Sequence, residues 1–350
     1  MGNDEARIDS TSLIYHPERL VEWMKKGDCY PINIEMGITN RCNHRCVFCG
    51  LEWVPRTRQE LSREILFPAF VDMKDHGVKS LTLSAESEPT LHENLIEIVQ
   101  YAKNLGLDVA MSTNGQLFNK DKAEQILPYL TWIRFSVDAA TEETFSMVHG
   151  THYSNFQSVL NNIKYAVDFK KRNNLPVTIG SQIVVIEDNL HEVEKLAQLM
   201  EEIGADNLQV KPYSQHPCSN NSVNNIDLSH SDLEERLKKY KGVIYREQAI
   251  KHNQRKVYDK CYSLPFYCLI DARGNVMPCN MFYNDPAFIY GNLNDTKGSF
   301  SEIWESEKRK SIFHNIGSMR LDRCRNACVP AAKNEFLNRL KHPHLHDNFV

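Results

Sequence analysis

Cys42-Asn43-His44-Arg45-Cys46-Val47-Phe48-Cys49 sets three cysteines in C-x3-C-x2-C spacing, directly after a short apolar run, residues 32–38, that reads as a β-strand. The three thiols therefore share one loop at the carboxyl end of that strand. Their number is informative. A closed structural zinc site takes four ligands, and an ordinary iron-sulfur cubane likewise takes four cysteines, so three leave one iron with an open position. A zinc knuckle with His44 as fourth ligand is the competing reading of the same residues.

Outward from this loop, to about residue 212, short apolar runs alternate with longer amphipathic stretches, the pattern of repeated βα units on a parallel sheet. Six candidate strands cover residues 32–38, 79–84, 108–113, 132–137, 177–185 and 207–211. Helix signals fill the gaps. Leu66, Phe67, Phe70, Val71 and Met73 end before Gly77, Leu95, Ile96, Ile98, Val99 and Ala102 end near Gly106, and residues 190–203 repeat the design. Six βα units without a seventh or eighth predict an α/β fold, a partial (β/α)6 barrel with its active site at the carboxyl ends of the strands. Residues 1–30 then form an N-terminal segment and 31–213 the barrel. Residues 214–260 change character, with a polar loop around Ser219 to Asn225 and a charged helix over 232–245, and read as a linker. Residues 261–350 form a small C-terminal cluster-binding domain containing five of the ten cysteines.

At 350 residues, 41% apolar and 25% charged, the chain has the balance of an ordinary globular protein with a sizeable core. Its formal net charge of -4, with both signs interspersed, provides no field favouring nucleic acid or an anionic membrane, and neither is expected as a partner. Residues 1–6 are polar and acidic, lack a hydrophobic signal core, and place Ala6 where a myristoylation motif needs Ser or Thr. No apolar run approaches membrane-spanning length. A cytoplasmic location is the expectation, and in that reducing compartment clustered cysteines hold metals more often than they form disulfides.

The cysteine loop, with the aromatic Phe48 immediately before Cys49, resembles the signature of the radical S-adenosylmethionine (SAM) superfamily. The resemblance implies a 4Fe-4S cluster on Cys42, Cys46 and Cys49 whose open iron chelates the amino and carboxylate groups of SAM. In that family the reduced cluster passes an electron to the sulfonium, releasing methionine and a 5'-deoxyadenosyl radical. The match continues along the strand ends. Ser84 to His92 is similar to the family's glycine-glycine-glutamate segment, with Ala85 and Ser87 replacing glycines; Glu88, before Pro89, takes the position that meets the SAM ammonium, and Glu86 is the alternative. Ser112-Thr113-Asn114-Gly115 and Ser136-Val137-Asp138 resemble segments lining the SAM ribose and carboxylate pocket, which implicates Ser112, Asn114, Ser136 and Asp138. Gln182 falls where the family contacts adenine and ribose. Taken alone, Ser-Thr-Asn-Gly is a turn and Asp138 a helix N-cap. Lys211 and Tyr213, at the end of the sixth strand, are substrate-pocket candidates; a surface lysine is the alternative for the former.

Cys261, Gly274, Cys279, Cys324 and Cys328 are spaced like the SPASM and shorter twitch extensions of that superfamily, with a hairpin over 270–276 and a helix around Ile303 and Trp304. A full SPASM domain carries two clusters and more cysteines than these. The resemblance implies one auxiliary 4Fe-4S cluster on Cys261, Cys279, Cys324 and Cys328, with Cys268 a buried thiol or substitute ligand; zinc is the alternative. A closed second cluster favours electron relay, and hence substrate oxidation. Cys29 reads as an ordinary core thiol, whereas Cys218, just beyond the sixth strand, is a candidate hydrogen-atom donor for epimerisation. The expected activity is a dehydrogenase or epimerase of a sugar, aminocyclitol or sugar nucleotide, a small-molecule substrate, with an electron donor such as flavodoxin or ferredoxin. A peptide-modifying maturase and a non-catalytic iron-sulfur electron carrier are the other readings. His342, His344 and His346 alternate in the tail and read as a surface segment.

Overall fold

Polar and apolar residues alternate along most of the early strands, and the fold turns that alternation into two faces. The structure, a computed structural model, describes residues 11–229, 231–254, 256–317, 321, 324–325, 328 and 330–349. The reading of residues 1–6 lies outside the described residues. The strands are β1 (Asn33–Met36), β2 (Ser80–Leu83), β3 (Asp108–Thr113), β4 (Trp132–Ser136), β5 (Thr178–Val185), β6 (Asn207–Pro212), β7 (Val243–Tyr245), β8 (Tyr267–Ile270), β9 (Asn275–Met277) and β10 (Gly291–Asn292). They form one sheet in the order β10-β9-β8-β1-β2-β3-β4-β5-β6-β7. Pairing is parallel from β8 through β1 to β7 and antiparallel for β8-β9 and β9-β10. The end strands β10 and β7 do not pair with each other, so the barrel is open.

One set of alternate residues, including Ile34, Met36, Leu81, Leu83, Met111, Ile133, Phe135, Ile179, Leu208 and Val210, is buried in a single apolar core. Against it pack Leu66, Phe70 and Met73 of the helix Arg63–Asp75, Ile98 and Val99 of Leu95–Asn104, and Leu196 and Met200 of Val193–Ile203. The opposite set is largely polar and lines the lumen. Glu35 pairs with Thr82, Ser112 with Arg134, and Ser136 with Gln182, which pairs in turn with Gln209. Each large apolar side chain contributes roughly 1.5–3 kcal/mol on burial. A one-residue slip would exchange the two faces, so the register is locked.

The structure corrects the sequence reading at both margins of the barrel. The six predicted strands are present, within two residues of their expected ends. A seventh parallel strand, β7, joins β6, and β8 adds a further parallel strand beside β1. The charged segment 232–245 is not one helix: it holds only the short helix Leu233–Leu237 and then turns at Gly242 into β7. Gly242 has φ +77°, and a Cβ there would stand 2.8 Å from the Asp206 carbonyl oxygen, so a continuous helix is excluded. The predicted hairpin at Gly274 is the β8-β9 turn, held by Asp271, whose carboxylate accepts from the Arg273 and Asn275 amides at 2.9 and 3.0 Å. Trp304, on the helix Phe300–Trp304, donates to the Cys29 carbonyl at 3.1 Å and ties the extension to the N-terminal segment. Among the described residues no helix is long and apolar enough to cross a membrane.

Candidate active site

The loop carrying Cys42, Cys46 and Cys49 lies on the carboxyl rim of β1, where amide hydrogen bonds from Arg45 to the His149 carbonyl and from Val47 to the Val148 carbonyl, both 2.9 Å, fasten it to the end of the helix Glu142–His149. All three cysteines, with Trp53 and Arg56, line a cavity of about 360 Å³. Burial pushes the Cys46 thiol well above its ordinary range and raises Cys42 as well. A bound metal reverses this, because a coordinating thiol is deprotonated outright. Among the described residues no three cysteine sulfurs lie within 4.8 Å of one another. Around a tetrahedral zinc, with Zn–S bonds of about 2.3 Å, sulfurs stand only about 3.8 Å apart. As they stand, the sulfurs of neither cysteine set converge on one zinc-sized point.

Hydrogen bonds knit the loop to its neighbours. Asn43 donates to Gln116 Oε1 at 2.7 Å and accepts from Asn114 Nδ2 at 2.7 Å. Glu88 is buried and accepts from Thr90, from the Thr113 hydroxyl at 2.6 Å and from the Asn114 amide at 2.7 Å. It thus locks the β2 rim to the β3 rim. Glu86 is equally buried but faces elsewhere, accepting from the Ala272 amide at 3.0 Å and the Tyr283 hydroxyl at 2.8 Å, with Gly37 packed against its carboxylate. It links the barrel rim to the C-terminal extension. Burial pushes its carboxyl up to about 7, opposed by the Ala272 amide and reinforced by Asp271.

Inside the lumen, Arg134 donates to Ser112 Oγ at 2.9 Å and to Gln209 Oε1 at 3.4 Å, and Arg246 reaches the same Gln209 oxygen at 3.2 Å. Ser112 thus faces Arg134 in the lumen. Gln182 donates to Ser136 Oγ at 2.9 Å while its own Oε1 is buried without a partner. Asp138, at φ +56°, accepts from the Val184 amide at 2.6 Å. It is not a helix cap, a role taken by Thr141. Burial, with the Arg134 and Arg246 guanidinium groups, lowers Lys211 to about 7, and burial raises Asp138. Lys333 lies 5.6 Å over the Tyr267 ring, and Tyr267 donates to Glu35. Arg134, Arg246, Lys333, Glu35 and His149 escaped the sequence reading. Arg134, between the apolar Ile133 and Phe135, was the visible signal: a cation at an alternate strand position is a lumen residue.

Tyr213 is buried in a cluster with Val148, Val184 and Ile186 beside Phe48, and its hydroxyl engages Gln215 and, at 2.9 Å, Asn221. It braces the cysteine loop. Cys218 is exposed on the adjoining loop, where Ser219 and Asn220 bond Glu52 at 2.9 and 2.7 Å. In the extension, burial and the proximity of Cys328, Cys261 and Cys324 raise the Cys279 thiol well above its usual range. The structure thus gathers the four expected cysteines. Cys268 faces the other way, fully buried in the main apolar core, and Cys29 is also a buried thiol. His344 and His346 stack at 5.0 Å on the exposed tail and, among the described residues, belong to no metal-ligating cluster.

An open parallel α/β barrel with three thiols on its rim loop and a separate nest of four defines an iron-sulfur enzyme with one cluster open to a ligand. Residues 36–200 match the Radical SAM superfamily, and residues 261–329 match the iron-sulfur cluster-binding domain SPASM. A protein named probable GTP 3',8-cyclase in Saccharolobus islandicus (strain M.14.25 / Kamchatka #1) is 30% identical over 293 residues, 79% of this chain and 90% of that protein. One of the same name in Methanothermobacter thermautotrophicus is 25% identical over 228 residues, 65% of this chain and 72% of its own. The crystal structure of Streptococcus suis SuiB bound to precursor peptide SuiA has the same fold, with a TM-score of 0.66 at 17% identity, covering 88% of this chain and 72% of that one. The chain belongs to the radical SAM superfamily, with a C-terminal SPASM domain. Its cofactors are a 4Fe-4S cluster with SAM and an auxiliary iron-sulfur cluster.

Replacing Cys42, Cys46 and Cys49 together by Ala is expected to abolish SAM cleavage while leaving iron at the second cysteine set, checked by 5'-deoxyadenosine release and iron analysis. Glu86 holds its proton to a higher pH folded than unfolded, so stability should fall as pH rises from about 4.5 to about 7. In Glu86→Gln this slope should flatten, read from thermal midpoints across that window.

Proposed function

We propose that this enzyme removes a hydrogen atom from a small anionic molecule held in the barrel lumen, a sugar nucleotide or other phosphorylated sugar, in a dehydrogenation or an epimerisation. The observation that carries this reading is the positive charge gathered at the lumen: the buried Arg134 guanidinium and Lys211 ammonium lie close together, with Arg246 beside them, and each is acted on by Asp138. A buried cation is costly unless an anion joins it, and two held side by side favour an anionic ligand. Guanidinium groups also suit phosphate through paired donors. The rest of the lumen, Ser112, Ser136, Gln182 and Gln209, offers donors and acceptors for sugar hydroxyls.

In this reading Cys42, Cys46 and Cys49 hold the SAM cluster, and Cys261, Cys279, Cys324 and Cys328 the auxiliary one. The chemistry that a reduced cluster with SAM would supply there is radical hydrogen-atom abstraction. Phe48 and Asn114 order the loop; Asp138, Ser136 and Gln182 flank the SAM pocket; Lys211 anchors the substrate anion. Glu88, with its oxygens committed to Thr90, Thr113 and Asn114, shapes the rim near the SAM ammonium. Oxidation is preferred over epimerisation because Cys218, the candidate hydrogen donor, is exposed and not gathered with the lumen residues. A small one-electron carrier such as flavodoxin or ferredoxin is the reductant. A second reading, cyclisation of a purine nucleoside triphosphate, is favoured by the relatives named probable GTP 3',8-cyclase. It uses the same cations for the phosphates.

Anaerobic turnover with deuterated sugar nucleotides is expected to carry deuterium into 5'-deoxyadenosine. Transfer from deuterated GTP alone would favour the second reading, and transfer from an uncharged sugar or a peptide would sink the anionic assignment. Lys211 is charged below about 7, so substrate affinity should weaken as pH rises through that value. Lys211→Gln should raise KM on the order of tenfold at pH 6 and flatten that dependence, checked by KM–pH profiles.

A further inference from the structure

We propose that His44, Cys46 and His149 form a mononuclear metal site that captures one zinc-class divalent ion when no iron-sulfur cluster occupies the loop. Three electron-pair donors converge there with no N–H between the two imidazoles. His149 Nε2 lies 2.9 Å from the Val137 carbonyl, which only accepts, so this nitrogen carries the ring hydrogen and Nδ1 keeps a lone pair. His44 Nε2 lies 2.9 Å from Gln116 Oε1. The orientation of that amide is fixed by its neighbours: the Gln116 backbone N–H, which only donates, meets Asn114 Oδ1 at 3.0 Å, so Asn114 Nδ2 donates to Asn43 Oδ1 at 2.7 Å and Asn43 Nδ2 in turn donates to Gln116 Oε1 at 2.7 Å. His44 therefore also presents an unprotonated Nδ1.

The two Nδ1 atoms are 3.4 Å apart, Cys46 Sγ is 3.3 Å from His149 Nδ1, and all three atoms lie within 4.8 Å of one another. A tetrahedral ion with metal–nitrogen bonds of about 2.0–2.1 Å and a metal–sulfur bond of about 2.3 Å separates its ligand atoms by about 3.3–3.6 Å. This is the only trio of metal-ligating side chains among the described residues that converges so tightly. Both rings also have the acceptors that orient metal-binding histidines, Gln116 Oε1 behind His44 and the Val137 carbonyl behind His149. The Asp138 Oδ2 atom, buried without a hydrogen-bond partner, stands 3.5 Å from His149 Nε2 and adds a carboxylate on the far side of that ring. Binding would release the Cys46 thiol proton, and both His44 and Cys46 also line the loop cavity. Cys46 belongs to both sets, so ion capture and cluster binding exclude each other.

The test is a Co2+ titration of the full-length protein stripped of iron under anaerobic conditions. The expected result is one cobalt ion ligated by two nitrogens and one sulfur, seen by X-ray absorption and displaced by one equivalent of Zn2+. In His44→Ala and in His149→Ala that nitrogen-ligated ion should be lost while any all-sulfur cobalt at the second cysteine set remains. In Gln116→Ala, which removes the acceptor behind His44 together with the Asn43 and Asn155 contacts but no ligand atom, the ion should bind about 10- to 100-fold more weakly. Wild-type protein that binds no nitrogen-ligated cobalt overturns the proposal. So does a His44→Ala variant, folded by circular dichroism, whose cobalt count and nitrogen ligation match the wild type.

Discussion

Parallel pairing in fixed register from β8 through β1 to β7 is the constraint on which the other features rest. Side chains on a strand alternate between two faces, so the register that buries Ile133 and Phe135 against the helices also points Arg134 inward, and the register that buries Leu208 and Val210 presents Gln209 and Lys211. The apolar face supplies the stability, and the polar face is then free to be chosen for chemistry. A slip of one residue would carry Arg134 into a hydrocarbon environment, where an unpaired charge costs several kcal/mol. Selection of the lumen and selection of the core are thus one decision made strand by strand.

The rim depends on side-chain hydrogen bonds rather than regular structure. Glu88 draws Thr113 and the Asn114 amide toward the β2 end, Asn114 holds Asn43, and Asn43 holds Gln116. This chain runs from the second and third strands into the cysteine loop and fixes the thiols without a fourth cysteine. Such networks become stronger as water is excluded, and correspondingly costly to leave half made. The same network sets the tautomer of His44, so the loop's metal chemistry and its hydrogen-bond order are linked.

The C-terminal extension is joined to the barrel through backbone and side chain together. β8 lies beside β1 in parallel, and Glu86, from the β2 rim, accepts from Ala272 and Tyr283 on the far side of that junction. The nest of four cysteines is consequently built onto the barrel's own sheet. Cys268 shows how strongly the register governs: one β8 position is core, fully buried with Ile34 as its paired neighbour, while Tyr267 beside it reaches Glu35 in the lumen.

The cysteine spacings and the six central strands were legible in the sequence, because spacing and strand alternation are local properties that survive without knowledge of the fold. The ends of the barrel were not. β7 is three residues long in a charged segment, and only the parallel partner β6 gives it a reason to be a strand. The lumen cations were visible as residues but not as a group, since Arg134, Lys211 and Arg246 come from distant parts of the chain and their mutual electrostatics exist only once the barrel curls. His149 was silent for the same reason: 103 residues separate it from Cys46, and only the docking of the helix end against the cysteine loop brings a ring nitrogen within 3.3 Å of the sulfur. Sequence alone determined which chemistry the loop supports, through ligand type and spacing; the tertiary structure decided which distant charges and donors surround it, because those contacts close over long loops that no local pattern encodes.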